Sequence, residues 1–125
     1  MKPPSRQPAI RVTMRPKDTN ALGSIFGGVI TSLIDEAAFV EATRQAPRKY
    51  VTIAMDKIEF HKPVKVGDIV SLWAETLRIG RTSITMRVDV LARSRGEDTD
   101  VTVTTAEVTM VAIDDSNRPT PIFSH

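Results

Sequence analysis

The chain has 125 residues, with 17 Lys and Arg against 15 Asp and Glu, two histidines and no cysteine, a length suited to one domain on the usual prior of roughly 100–200 residues. Hydrophobic residues make up 41% and charged residues 26%, which is ordinary globular usage and excludes disorder, collagen and coiled coil. A net charge of +2 with one Trp, one Tyr and four Phe lacks the basic run and interleaved aromatics of a nucleic-acid binder and suits a small anionic ligand.

Absence of cysteine removes disulfides, thiolate metal sites and a cysteine nucleophile, and fits a reducing compartment. His61 and His125 offer no zinc-ligand spacing, and no G-x-S-x-G elbow is present. Met1–Pro8 is polar and proline-rich, unlike an apolar signal, and no run approaches the ~20 apolar residues of a membrane span. The expectation is a cytoplasmic protein with a flexible tail over 1–8, one domain over 9–121 and a short tail over 122–125.

Ala9–Met14 reads as a short strand, followed by a long loop from Arg15 to Phe26 carrying Pro16, Asp18, Asn20 and Gly23. From Gly27 to about Arg44 the spacing turns helical, with Phe26, Ile30, Leu33, Ile34, Ala37 and Val40 on one side, and Pro47 closes the stretch. Four strands follow: Val51–Phe60, Ile69–Ile79 after a Gly67-Asp68 turn, Thr82–Arg93 after Gly80, and Val101–Ile113 after the polar turn Ser94–Asp98. The third alternates apolar and polar residues throughout. The last changes phase between Val103 and Ala106, which predicts a bulge or a strand covered on both faces. One helix and several antiparallel strands without β-α alternation predict an α+β fold, a sheet wrapped round a single helix.

On a helical wheel Asp35 lies opposite the apolar stripe, among Gly28, Thr31, Ser32, Phe39 and Ala42. The charges Glu36, Glu41 and Arg44 stand apart from these small residues, so both helix faces read as covered, one by something outside the chain. Gly27-Gly28 open the helix, where free N–H groups favour an anion or a developing oxyanion. Asn20 lies upstream as an amide able to donate and accept. Capping and turn roles suit Asp18 and Ser24. Seven residues separate Gly28 from Asp35, about 10 Å along the axis, too far for one carbonyl to reach both. Two copies with antiparallel helices about a two-fold axis would set Gly28 of one against Asp35 of the other.

The stretch Asp18-Thr19-Asn20-Ala21-Leu22-Gly23-Ser24-Ile25-Phe26-Gly27-Gly28, with Leu33-Ile34-Asp35-Glu36-Ala37 following, resembles the signature of hotdog-fold acyl-CoA thioesterases of the YciA and brain acyl-CoA hydrolase type. Phe60-His61-Lys62-Pro63-Val64, Val66-Gly67-Asp68, Gly80-Arg81-Thr82-Ser83 and the segment Asp114–Pro121 extend the likeness over about Val12 to Pro121.

That resemblance implies a hotdog fold, dimers sharing a ten-stranded or larger sheet, and in many members a trimer of dimers. It implies Asp35 as general base or nucleophile in hydrolysis of acyl-CoA to a carboxylic acid and CoA, Asn20 placing water or the thioester, and the Gly28 N–H as oxyanion donor. Phe26 and Gly27 border the substrate, and the turn of Gly80, Arg81, Thr82 and Ser83 lines the pantetheine and nucleotide path. Arg81 is the leading contact for the CoA phosphates, with Lys62, Arg78 and Lys57 behind it. No cofactor or metal is implied beyond CoA as part of the substrate, and no nucleic acid partner.

Asn117 stands where glycine is common, and the late segment is shorter than in many relatives. His61 at a strand end reads as structural or surface-exposed, Trp73 as core or interface, and Met55, Met86 and Met110 as packing residues. The competing readings are an acyl-CoA-binding hotdog module without catalysis and a hotdog enoyl-CoA hydratase or dehydratase.

Overall fold

The computed structural model describes residues 1–123; Ser124 and His125, the end of the expected C-terminal tail, lie outside the described residues. In chain order the elements are β1 (Ile10–Thr13), a 3-10 turn (Pro16–Asp18), α1 (Gly27–Gln45), β2 (Lys49–Phe60), β3 (Ile69–Ile79), β4 (Ser83–Arg93) and β5 (Val101–Ile113). The strands form one antiparallel sheet in the order β1-β3-β4-β5-β2. The helix packs against β2 to β5 over a core that includes Ile34, Leu72, Met86, Val88 and Val108, the expected α+β architecture.

Strand β4 shows why one face closes on the helix. Ile84, Met86, Val88, Val90 and Ala92 are buried in alternation with exposed Arg87 and half-buried Asp89. Thr85 is buried in the outer phase, where its hydroxyl lies 3.1 Å from that of Thr109 across the ladder. The phase change in β5 is a bulge: Val90 pairs with Thr104 and Leu91 with Thr102, leaving Val103 as the extra residue. A similar irregularity in β2 leaves Lys57 at φ 52, and its ammonium reaches Glu107 at 3.0 Å.

The helix is turned relative to the face drawn from periodicity. Its buried residues are Ile30, Ile34, Ala37, Ala38, Glu41, Ala42 and Gln45, whereas Phe26 and Val40, expected inside, are 50% and 42% exposed. Ala42, expected beside Asp35, is fully buried. Alanines let the sheet approach the helix closely, so the bulkier residues are left facing out. Glu41, one of the helix charges set apart from the small residues, is enclosed and satisfied. Its carboxylate accepts hydrogen bonds from Arg44 Nε at 2.7 Å, Thr76 Oγ1 at 2.6 Å and Gln45 Nε2 at 3.1 Å. Burial pushes this carboxyl up, but the bonds from Arg44, Thr76 and Gln45 outweigh it and hold the group below its ordinary value.

The described residues near both termini are tied to this body. Lys2 N donates to Gln45 Oε1 at 2.7 Å, Gln45 Nε2 donates to Lys2 O at 3.2 Å, and Arg44 Nη2 donates to Pro3 O at 2.9 Å. The segment read as a flexible tail is thus held at Lys2 and Pro3. Ile122, assigned to the other tail, is fully buried. Asn117 takes φ 62, a left-handed conformation that Asn tolerates better than most residues, which accounts for it at a glycine position.

Candidate active site

The loop ahead of the helix is a closed turn. Asn20 N donates to Ser24 O at 2.8 Å, and Asn20 Oδ1 accepts from Leu22 N at 2.9 Å and Ser24 N at 3.2 Å, an Asx-type turn completed by Gly23 at φ 83. The amide oxygen of Asn20 is therefore committed within the loop, and its NH2 makes no hydrogen bond among the described residues. Asp18 serves the turn as expected, its carboxylate accepting from Arg15 N at 3.2 Å and its carbonyl from Phe26 N at 2.9 Å. Ile25 N donates to Val64 O at 2.8 Å, which moors the loop to the β2–β3 connection.

Phe26 is the helix N-cap and offers no side-chain cap, and the first turn carries no acid. The first amides bonded there are those of Val29 and Ile30, both to Phe26 O. Those of Gly27 and Gly28 donate to no group among the described residues, so the start of the helix is an open donor site. A Cβ at Gly28 would meet nothing within 4 Å, and one at Gly27 would sit 3.6 Å from Phe60 Cζ, an ordinary contact. Nothing inside the chain demands glycine at 28. The open space in front of it is available to a ligand or a second copy.

Two turns along, half-buried Asp35 accepts a hydrogen bond from Thr52 Oγ1 in β2 at 2.5 Å. Thr52 carries no sequence signal, because a threonine in a strand is ordinary; only the registry of β2 against the helix reveals it. Asp35 lies at the edge of a groove of about 720 Å³ whose walls include Glu36, Phe39, Val40, Tyr50 and Met110, within the roughly 300–1,000 Å³ usual for small-molecule sites. Tyr50 is fixed there by its hydroxyl, which donates to Ala46 O at 2.8 Å.

The remaining predicted residues lie elsewhere in the chain. Gly80, Arg81, Thr82 and Ser83 form the β3–β4 turn, closed by Gly80 N to Ser83 O at 2.8 Å and pinned by Ile122 N to Arg81 O and Ala112 N to Thr82 O. A Cβ at Gly80 would come within 3.1 Å of Ser83 Oγ. Register places this turn near the C-terminal end of the helix, since Ser83 pairs with Val111 and Lys49 with Ile113. Lys62 stands at the opposite end, where it lines a separate cavity of about 450 Å³ with Lys65, Asp68 and Glu97. One chain therefore brings Asp35 together with Thr52, and leaves Asn20, Gly28, Lys62 and Arg81 apart from it.

His61 is exposed, with Nε2 3.4 Å from Thr105 Oγ1 and 3.8 Å from Glu59, in a cavity that Asp35 does not share. Trp73, half-buried and paired with Asp89, follows core residue Leu72 and so stands on the sheet face away from the helix. Met86 and Met110 are core residues, and Met55 is partly buried against the core. Among the described residues no cluster of three or more His, Cys, Asp or Glu is placed to hold a metal, and no helix is long and apolar enough to cross a membrane.

Residues 22–99 match the thioesterase superfamily. The chain belongs to that superfamily. Among relatives of this thioesterase, an uncharacterized acyl-CoA thioester hydrolase of Zymomonas mobilis is 43% identical over 116 residues, 93% of this chain and 78% of its own length. The acyl-CoA thioester hydrolase YciA of Salmonella typhimurium is 31% identical over 122 residues, 95% of this chain and 92% of its own. A hexameric hotdog fold thioesterase of Campylobacter jejuni superposes with a TM-score of 0.87 at 39% identity, covering 94% of this chain and 90% of its own. The wrapped five-stranded sheet is the hotdog fold.

Proposed function

We propose that this thioesterase hydrolyses acyl-CoA to a carboxylic acid and CoA in a site completed by a second copy of the chain. The observation that carries the reading is Asp35, held by Thr52 at the edge of an apolar groove, on a helix whose own start is an open donor site. Asp35 takes a proton from water as the water oxygen bonds to the thioester carbon. The carbonyl oxygen, gaining charge, is met by the Gly28 N–H, and Asn20 donates its NH2 to water or carbonyl. Collapse breaks the C–S bond, and the CoA thiolate leaves and takes up the proton. Attack by Asp35 itself, through an anhydride that water then opens, uses the same groups.

Antiparallel pairing of two helices supports this assembly, because it sets the Gly28 end of one against Asp35 of the other. It also brings opposite ends of two sheets to each site, so Lys62 of one copy and Arg81 of the other can both face the CoA phosphates. Strand β2 suits the same pairing. It is a sheet edge with Val51 exposed and Ile53 at 60% exposure, a liability unless covered. Joined edge to edge, two copies make a ten-stranded sheet, and three such dimers make a hexamer. CoA enters only as part of the substrate, with no cofactor or metal, and a cytoplasmic location belongs to the same proposal.

Release of free thiol from acyl-CoA by the wild type and by Asp35→Ala tests the reading. Rapid release by the wild type, lost in the variant, supports it. Equal rates remove Asp35 from the mechanism, and tight binding without release leaves a binding module.

A further inference from the structure

On the sheet face away from the helix, Arg11, Ile69, Ser71, Arg93 and Asp100 line a cavity of about 190 Å³. Register builds it. Arg11 of β1 lies opposite Ser71 of β3, and Ile69, two residues back on the same face, lies opposite Arg93 of β4. Asp100 stands just ahead of β5. Val70 and Leu72, the neighbours of Ser71 in sequence, belong to the core, so Ser71 belongs to the outer face, and yet it is only 3% exposed. Its hydroxyl accepts a hydrogen bond from Arg11 Nε at 2.9 Å and donates to no group among the described residues. A buried hydroxyl whose proton is unused is an open donor.

The two arginines carry further donors. Arg11 is engaged only through Nε, and Arg93 donates through Nε to Asp100 Oδ1 at 2.9 Å. The terminal nitrogens of both guanidiniums therefore have no acceptor among the described residues. Two guanidiniums against one carboxylate leave one positive charge unmatched. The cavity is smaller than the roughly 300–1,000 Å³ usual for organic ligands, which suits an ion or a terminal group. We propose that this cavity binds a phosphate group through the Arg11 and Arg93 guanidiniums and the Ser71 hydroxyl. Guanidiniums already held through Nε lose little freedom when the anion arrives, and a tetrahedral oxyanion has enough oxygens to accept from all three groups. Asp100 orients Arg93 while opposing the anion. Edge strand β1 separates this cavity from the Asp35 groove, since Ile10 lines the groove and Arg11 the cavity. The phosphate is thus either free or part of a CoA that passes round the β1 edge.

Calorimetric titration with inorganic phosphate, at an ionic strength matched with chloride, tests the site without any use of turnover. Wild type, Arg11→Gln, Asp100→Asn and Arg87→Gln are compared, with melting curves to check that each variant folds. Arg87 is an exposed arginine of the same sheet face that lines a different cavity. The wild type is expected to bind phosphate saturably. Arg11→Gln should weaken binding about tenfold, the scale of a hydrogen bond to a charged group, and Asp100→Asn should tighten it about fivefold, the scale of one charge at contact distance in water. Arg87→Gln should leave it unchanged. No saturable binding by the wild type, or equal losses in Arg11→Gln and Arg87→Gln, overturns the site. CoA titrated in place of phosphate then identifies the source. An affinity that falls about tenfold in Arg11→Gln makes the group a CoA phosphate, and an unchanged affinity beside weakened phosphate binding makes it free phosphate.

Discussion

Thr52 Oγ1 donates to Asp35 Oδ1 at 2.5 Å, joining the start of β2 to the middle of the helix. The contact fixes one carboxylate oxygen, and Asp35 lines the groove. A hydrogen bond to a charged group contributes about 1.5–3 kcal/mol. Thr52→Val keeps the shape and removes the donor, so kcat for thiol release should fall by about tenfold, and Thr52→Ser should recover most of it. Because Thr52 is exposed, its melting temperature should stay close to that of the wild type.

On the proposed mechanism, Gly28 separates fold from chemistry. A methyl group there meets nothing inside the chain, and alanine favours a helix over glycine by up to about 1 kcal/mol. Gly28→Ala should melt no lower than the wild type, yet lose activity by about 10²-fold if the new methyl displaces a carbonyl from the helix start. Melting curves and thiol release on one preparation check both halves.

Glu41 supplies a pH dependence unrelated to catalysis. Its folded carboxyl lies below the ordinary value of 4.5, so its contribution to stability is complete above that pH and is lost as pH falls through the lower folded value. Glu41→Gln should cost on the order of 1–3 kcal/mol at neutral pH, tempered by the partial exposure of Arg44. The difference in melting temperature between wild type and variant should narrow as the solution is taken below pH 4.5.

Much of this was legible from the sequence because local chemistry enforces it. Alternation in β4, glycine-led turns and the phase change in β5 each reported a backbone fact. The helix misled at Val40 and Ala42, since periodicity orients an apolar stripe but cannot say that a sheet will choose alanines over valine for close contact. Glu41 was missed because a buried carboxylate is betrayed only by its partners, and Thr76 is 35 residues away. Asp35 and Gly28 could be singled out as candidates from their places on the helix. Thr52 could not, because its meaning depends on which helix residue β2 passes.

Edge pairing through β2 has its own signature. Ile53→Asp places a charge on the exposed edge, which should reduce the assembly to a 13.8 kDa species in sedimentation and abolish thiol release together. An active monomer would contradict the pairing.

Complementation of inactive chains tests the shared site most directly. Asp35→Ala and Asn20→Ala chains are each expected to be inactive alone. Unfolded together and refolded at equal amounts, they form mixed pairs in which one site receives both defects and the other receives Asp35 and Asn20 intact. Random pairing makes half the dimers mixed, so thiol release should return to roughly a quarter of the wild-type rate. If the mixture stays inactive while mixed dimers are present, each site draws Asn20 and Asp35 from one chain, and the shared site is wrong.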